Sequence, residues 1–198
     1  GIAFCFAPLI HGAMKYAAPV RRQLGFPTIF NLLGPLTNPA AAEFQVLGAN
    51  SNERAELLAT ALSRLAIERA FVVCGNNELD EVSLWGTTTV FDVTTDSVHR
   101  KEWTAADFGL PECRVTSLRV NSAAQSAELI LHVLKGVQGP AADIVIANTA
   151  AALLVSGKVQ DLKAGVNVAT SVIRDGKSFA LLEALIEKTH SLAKSVEK

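Results

Sequence analysis

The feature that most constrains the fold is a strand–helix–strand pattern that begins at Phe44. The apolar run Phe44–Ala49 ends at a polar turn, and a helical repeat of apolar residues follows over Glu53–Ala66, with Asn52 as its predicted N-cap. A second apolar run, Arg69–Cys74, closes the pattern. Strand, helix and strand within about thirty residues predict a βαβ unit. Such a unit makes the two strands parallel neighbours, and because its crossover is right-handed, the helix should lie on one face of the sheet.

The remaining segments extend this unit into a single α/β domain. Thr87–Val93 and Val98–Trp103 are separated by a short turn, which predicts an antiparallel pair at one edge of the sheet. Helical patterns then occupy residues 127–136, 141–156, 161–176 and the chain from about 178 onward. No break in composition marks a domain boundary. The predicted fold class is therefore α/β, with a central, mostly parallel sheet flanked by helices.

Composition excludes several classes of protein. Hydrophobic residues make up 49% of the 198 residues, and 18 basic against 19 acidic residues leave a net charge of −1. A chain this apolar is not disordered. The neutral balance argues against binding to nucleic acid or to a membrane surface, both of which need a basic excess. No glycine-rich nucleotide loop or serine-hydrolase motif is present either.

The cysteines and the apolar segments bear on localisation. Cys5, Cys74 and Cys113 form no C-x-x-C pair, which is typical of a protein from the reducing cytoplasm. The apolar start, Gly1–Ile10, has neither a basic region before it nor a small-residue cleavage site after it, so it does not fit a signal peptide. The apolar run Ile144–Val155 is too short to span a bilayer. We expect the chain to be a piece of a longer protein.

Two clusters near the start of the chain are open to two interpretations. His11 is followed by the pair Arg21 and Arg22, and paired guanidinium groups can hold a carboxylate or a phosphate. On spacing alone, a solvated basic helix face is the favoured interpretation. The double turn over residues 30–39 contains Gly34-Pro35, and turn chemistry explains it as well as a pocket lining does.

Adjacent carboxylates predict a metal site. Asp80 and Glu81 follow the strand that ends at Cys74, and ligands of open α/β sheets bind beyond the carboxyl ends of the strands. Mg²⁺ takes one or two acidic ligands and leaves its other positions to water and substrate phosphate. The two side chains can converge on one ion only from a turn, because successive residues of a strand or a helix point apart. The competing interpretation is a pair of solvated surface charges.

Several motifs in a fixed order resemble the C-terminal part of the anthranilate phosphoribosyltransferase family. The most specific is TIFNLLGPLTNP at residues 28–39. It is preceded by FAPLIHGAMKYAAPVRRQLG and followed by LDEVSLWGTT, DFGLPE and NTAAALLVSGK, and the resemblance runs from Gly1 to about Leu192.

The resemblance implies an activity, a cofactor and a set of residues. Members of the family transfer a phosphoribosyl group from phosphoribosyl pyrophosphate to anthranilate in tryptophan biosynthesis, with Mg²⁺, and form homodimers. Asp80 and Glu81 match their Mg²⁺ ligands, and Arg21 matches the residue that faces anthranilate. The remaining matches to the lining of the anthranilate site are Ala7, Pro8, His11, Met14 and Gly34.

The chain departs from the family pattern in places. Gly12 and Pro27 stand where the family usually has Pro and Arg, and Glu78 adds a third carboxylate beside the metal pair. The family's helical N-terminal domain and its Gly-Thr-Gly-Gly-Asp pyrophosphate loop have no counterpart within residues 1–198, which correspond to the C-terminal portion of the catalytic domain. We therefore expect half of an active site, inactive on its own.

Three other interpretations stay open. A pyrimidine nucleoside phosphorylase shares the architecture and the TIFNLLGPLTNP run, and would use free phosphate instead of pyrophosphate and Mg²⁺. A nucleic-acid-binding relative without enzyme activity would need a basic surface, which the net charge of −1 opposes. The chain can also be an inert structural fragment.

Overall fold

The structure, a computed structural model, describes residues 2–3, 12, 14–25, 34, 36–38, 40–65 and 67–196. Its strands are β1 (Phe44–Gly48), β2 (Arg69–Gly75), β3 (Thr88–Thr94) and β4 (Ser97–Trp103). Its α-helices are α1 (Met14–Leu24), α2 (Asn52–Leu62), α3 (Ala105–Phe108), α4 (Ala123–Leu134), α5 (Pro140–Val155), α6 (Leu162–Arg174) and α7 (Lys177–Val196). A short 3₁₀ helix covers Val115–Leu118.

The sheet has the strand order β1-β2-β3-β4. β1 and β2 are parallel, with Phe44 opposite Arg69 and Gly48 opposite Val73, which confirms the predicted βαβ unit. β2 pairs antiparallel with β3, and β3 antiparallel with β4 across the turn Thr95-Asp96, which confirms the predicted edge pair.

The α/β class is confirmed, but these four strands are less parallel than predicted. Only the β1–β2 pair of the described sheet is parallel. The reason lies in the connections, because a parallel pair needs a crossover of a dozen or more residues, usually a helix. Residues 76–87 contain no helix and return the chain beside β2 in the opposite direction.

Helices cover both faces of the sheet, in agreement with the predicted sheet flanked by helices. On one face α2 buries Ala55, Leu58 and Leu62 against Val72 and Phe91. Its N-cap is Ser51, whose hydroxyl accepts a hydrogen bond from the Arg54 amide, and not the predicted Asn52. A serine one residue earlier satisfies the same free N–H group at the helix start, so spacing alone does not separate the two.

The opposite face carries the second apolar core. Here α5 packs its small residues Ala147, Ala150 and Ala151 against the sheet residues Phe71 and Val73. The helix is buried on most sides, as its nearly continuous apolar sequence predicts. It also lies very close to α6, because a Cβ added to Gly165 would come within 2.8 Å of the Ala150 Cα.

Helix α4 is present where the sequence predicts it, but its apolar face is not fully covered. Within α4 only Val133 is buried, whereas Ile130 is 52% and Leu131 is 38% exposed. Periodicity identifies an apolar face without identifying what covers it. Among the described helices, none is long and apolar enough to cross a membrane.

Candidate functional site

The candidate site is built on residues 76–87, here called the carboxylate loop, which leave the carboxyl end of β2. The loop begins with a tight turn in which Asn76 and Asn77 adopt positive φ angles of 50° and 55°. Asparagine tolerates this left-handed region better than most residues do. The turn returns Leu79 to Gly75, and the two residues exchange backbone hydrogen bonds of 2.8 Å in both directions.

The far end of the loop is held by buried hydroxyl groups. The Ser83 amide donates to the Thr88 hydroxyl at 2.9 Å, and both residues are fully buried. The Ser83 hydroxyl donates to the Trp85 carbonyl at 2.6 Å and accepts from the Trp85 amide at 3.0 Å. Val82 and Leu84 anchor the same stretch in the apolar core beneath it. These bonds satisfy polar groups that would otherwise be buried unpaired.

Helix α5 reaches the loop through one side chain. The Asn148 Oδ1 atom accepts a hydrogen bond from the Val82 amide at 2.9 Å, and its Nδ2 atom donates to the Val82 carbonyl at 3.2 Å. The same Nδ2 donates to the Ile144 carbonyl at 3.0 Å. The sequence signal for this contact is a polar amide within an apolar helix, and that signal does not indicate which group the amide binds.

Two glycines allow the loop to lie against the sheet. A Cβ at Gly48, the last residue of β1, would overlap the carbonyl of Asp80. A Cβ at Gly75 would come within 2.8 Å of the Glu81 carbonyl oxygen and 2.7 Å of the Ser83 Cβ. Both contacts are shorter than atoms allow, so the backbone path of the two carboxylate residues depends on glycine at both positions.

The carboxylates of Asp80 and Glu81 are exposed and make no hydrogen bond or ion pair within the part of the chain that the structure describes. Although Glu81 is exposed as a residue, neighbouring protein atoms partly desolvate its carboxyl group and raise its pKa, and the negative charge of Asp80 raises that pKa further. Two adjacent acceptors without a donor fit the chemistry of a hard divalent cation, which prefers oxygen ligands.

The third carboxylate, Glu78, is already bonded to neighbouring side chains. Its Oε1 atom accepts hydrogen bonds from Asn76 Nδ2 and from the Trp85 indole, both at 3.1 Å. These bonds, first from Asn76 and then from Trp85, hold the pKa of Glu78 below its ordinary value. No group of three or more potential metal ligands occurs among the described residues, so Asp80 and Glu81 stand as a pair.

The predicted anthranilate-site residues are covered only in part. Ala7, Pro8 and His11 lie outside the described residues, as does Pro27. Met14 and Arg21 belong to α1, where the structure describes the helix but not these two side chains. Gly34 is half-buried, and its carbonyl accepts bonds from the amide and the hydroxyl of Thr37.

An apolar cavity of about 490 Å³ lies beside the carboxylate loop. Leu79, Glu81 and Trp85 form its wall on the loop side, and α4 and α5 form much of the rest. The exposed Ile130 of α4 borders it. Apart from the apolar face of α4, no sequence pattern indicates this cavity.

Comparison with known proteins identifies what the chain is similar to. The model of a glycosyl transferase family a/b domain matches residues 1–179. The anthranilate phosphoribosyltransferase of Desulforamulus reducens is 43% identical over 192 residues, which is 97% of this chain and 56% of that protein. The enzyme of Geobacter sulfurreducens is 43% identical over 190 residues, or 96% and 54%. The chain therefore spans about half the length of the curated relatives it matches.

Solved structures give the same result. The anthranilate phosphoribosyltransferase of Thermus thermophilus superposes with a TM-score of 0.84 at 39% identity, over 92% of this chain and 54% of that one. The Saccharomyces cerevisiae enzyme in complex with 4-fluoroanthranilate gives 0.86 at 31% identity, over 96% and 55%. Its complex with PRPP and Mg gives 0.84 at 30%, over 91% and 52%. The resemblance stated from the sequence is confirmed.

Proposed function

The chain belongs to the glycosyl transferase family that carries this a/b domain, and from that premise we propose that the protein containing it is an anthranilate phosphoribosyltransferase. The proposed reaction breaks the bond between ribose C1 and pyrophosphate and forms a bond from C1 to the anthranilate amine nitrogen. The amine loses a proton, and the products are N-(5-phosphoribosyl)anthranilate and pyrophosphate.

The observation that carries this proposal is the unpaired carboxylate pair, in a chain 43% identical to such an enzyme. Pyrophosphate leaves with high negative charge, and Mg²⁺, when bound, supplies Lewis-acid stabilisation of that charge. We assign Asp80 and Glu81 as the residues that would hold the ion. The hydrogen bonds of the carboxylate loop fix their backbone, so that little reorganisation is needed when the charge develops.

We propose further that Arg21 binds the carboxylate of anthranilate, and that the site is lined by Ala7, Pro8, His11, Met14 and Gly34. A guanidinium group forms two parallel hydrogen bonds with a carboxylate, which suits a planar aromatic acid. We also propose a homodimer, as the family resemblance implies, and a cytoplasmic location, as the spacing of the cysteines indicates.

Removing Arg21 tests the assignment. Arg21→Ala should raise the KM for anthranilate about ten- to a hundredfold with a smaller change in kcat, since it loses a charge-assisted bond worth about 1.5–3 kcal/mol. The matched control is Arg22→Ala, because Arg22 is the exposed neighbour on the same helix. Equal KM values for the two variants would make Arg21 a surface residue.

The reaction itself is tested with the whole protein. Anthranilate and phosphoribosyl pyrophosphate should give N-(5-phosphoribosyl)anthranilate with Mg²⁺ present, and EDTA should abolish the product. Cleavage of a pyrimidine nucleoside by inorganic phosphate without a metal would instead identify the protein as a nucleoside phosphorylase. That outcome, with no product from anthranilate, would refute the proposal.

A further inference from the structure

We propose that Asn148 is a positioning residue for the cation site, acting through the peptide bond that joins Glu81 to Val82. The inference rests on the proposed function, because it takes Asp80 and Glu81 as the groups that hold a divalent cation. Asn148 itself lies 66 residues away in sequence, on α5. It would touch neither the cation nor the substrates.

The argument begins with which backbone groups Asn148 holds. The amide of Val82 belongs to the peptide that follows Glu81, and it donates to Asn148 Oδ1 at 2.9 Å. The carbonyl of Val82 belongs to the next peptide, and it accepts from Asn148 Nδ2 at 3.2 Å. One side chain thus binds both peptides that flank Val82. Because both bonds are made by the side-chain amide of Asn148, they fix the rotation of these two peptides as well as their position.

Apolar burial alone does not supply this constraint. Val82 is fully buried, which fixes how deeply the chain enters the core. Dispersion and burial are not directional, so they leave the orientation of the preceding peptide open. The direction in which the Glu81 side chain leaves the backbone depends on that orientation. Hydrogen bonds are directional and supply it.

Hydrogen bonds hold the backbone on both sides of Asp80 and Glu81. On the N-terminal side, Leu79 is fixed to Gly75 by two backbone bonds of 2.8 Å. On the C-terminal side, Val82 is fixed to Asn148. Only Asp80 and Glu81 lie between these two hydrogen-bonded residues, and neither carboxylate has a hydrogen-bond or ion-pair partner among the described residues. The hydrogen bonds of Leu79 and Val82 thus fix the short backbone segment that carries the two carboxylates.

The neighbouring Thr149 shows what a purely local polar residue does on this helix. Its hydroxyl donates to the Val145 carbonyl at 2.7 Å, four residues back, and is exposed. Asn148 makes the equivalent bond to Ile144 at 3.0 Å and adds the two bonds to Val82. Removing those two bonds while keeping the local one separates positioning from helix stability.

The test uses the whole protein and two substitutions. Asn148→Ala removes all three bonds, and Asn148→Ser keeps a hydroxyl that can donate to Ile144 while losing both bonds to Val82. Mn²⁺ binding in the presence of pyrophosphate is measured by the electron paramagnetic resonance signal of the free ion, and the Tm by calorimetry. The control is Val155→Ala, which removes core packing about two turns further along α5 and leaves all three bonds of Asn148 in place.

We expect both Asn148 variants to raise the Kd for Mn²⁺ about tenfold, the usual loss when a residue that orients metal ligands is removed. Val155→Ala should lower the Tm and leave this Kd unchanged. If Asn148→Ala does not fold, Asn148→Ser alone decides. An unchanged Kd for Mn²⁺ in a folded Asn148 variant would overturn the inference, as would an equal rise of this Kd in Val155→Ala. Neither result would affect the proposed function as long as the parent converts anthranilate. A parent without that turnover would refute the proposed function.

Discussion

The molecule contains two carboxylate sites of opposite design. Asp92, on β3, accepts hydrogen bonds from Arg69 at 2.9 and 2.7 Å and from Lys101 at 2.7 Å. Asp80 and Glu81, beyond the end of β2, accept none within the described residues. The carboxylate of Asp92 is therefore neutralised by two cationic side chains. The backbone of Asp80 and Glu81 is held by hydrogen bonds, but their carboxylates have no cationic partner among the described residues.

The surroundings of Asp92 show what a structural carboxylate looks like. The Arg69 guanidinium lies 5.0 Å and the Lys101 ammonium 4.5 Å from the centre of the Phe71 ring, so both cations also stack on the core. Burial alone would raise the pKa of Asp92, but the bonds from Arg69 and Lys101 outweigh it and hold the pKa below its ordinary value. Ionisation of Asp92 therefore stabilises the fold.

The carboxylate loop has the reverse electrostatics. Desolvation and the charge of Asp80 raise the pKa of Glu81, so ionisation of Glu81 costs stability. Several hydrogen bonds and two close glycine contacts nevertheless fix this segment. A well-held pair of unpaired charges is the pattern of a binding site, since local departures from the most stable arrangement cluster at functional positions.

Asp92→Ala gives the largest expected change in stability. The free energy of unfolding should fall by about 2 kcal/mol, because Asp92 is 16% exposed and its partners are 34% exposed. This value lies between the roughly 0–1 kcal/mol of an exposed ion pair and the roughly 3–5 kcal/mol of a fully buried one. Denaturant unfolding measures it. Glu102→Ala is the control on the same sheet, since Arg100 and Glu102 are 59% and 57% exposed, and it should cost less than about 1 kcal/mol. Equal losses of unfolding free energy in the two variants would contradict the structural role assigned to Asp92.

The cost of removing Asp92 should also depend on pH. Because the folded pKa of Asp92 is depressed, its contribution is complete above the ordinary pKa of an aspartate and is lost as the pH falls through the folded value. The difference between the parent and Asp92→Asn should therefore narrow in acid. A stability difference that widens at acid pH would show that ionisation of Asp92 destabilises the fold.

Glu81→Gln should have a small effect of the opposite sign. The folded pKa of Glu81 is raised, so its unfavourable contribution is present at neutral pH and disappears as the pH falls below the ordinary glutamate value. At neutral pH the variant should melt higher than the parent, by less than about 4 °C, and the gain should vanish in acid. Glu78→Gln is the matched control and should melt lower, since a glutamine can still accept the bonds from Asn76 and Trp85 but lacks the negative charge that strengthens them. A lower Tm for Glu81→Gln would show that its charge has a partner.

Periodicity and spacing predicted the parts of the fold that depend on local sequence. The βαβ unit and the β3–β4 pair appear where the sequence places them. Strand direction after β2 was less predictable, since it depends on how residues 76–87 fold back. The exposure of Ile130 was not predictable either, because burial depends on what packs against a face.

The candidate site divides in the same way. Its place beyond β2 followed from the order of strand and turn, and the family resemblance gave Asp80 and Glu81 their role. The pairing of Glu78 with Trp85 did not follow, because it needs the loop to bring residues seven positions apart together. The bond between Asn148 and Val82 spans 66 residues and follows only from the packed structure.

The central claim is that Asp80 and Glu81 hold a divalent cation, and neutralising both tests it most directly. The measurement is the turnover of anthranilate by the whole protein across a Mg²⁺ titration, for the parent and for the double variant Asp80→Asn with Glu81→Gln. We predict that the variant folds, loses about a hundredfold or more in turnover at limiting Mg²⁺, and is partly restored as Mg²⁺ rises. Turnover and Mg²⁺ dependence equal to those of the parent would show that the two carboxylates are solvated bystanders.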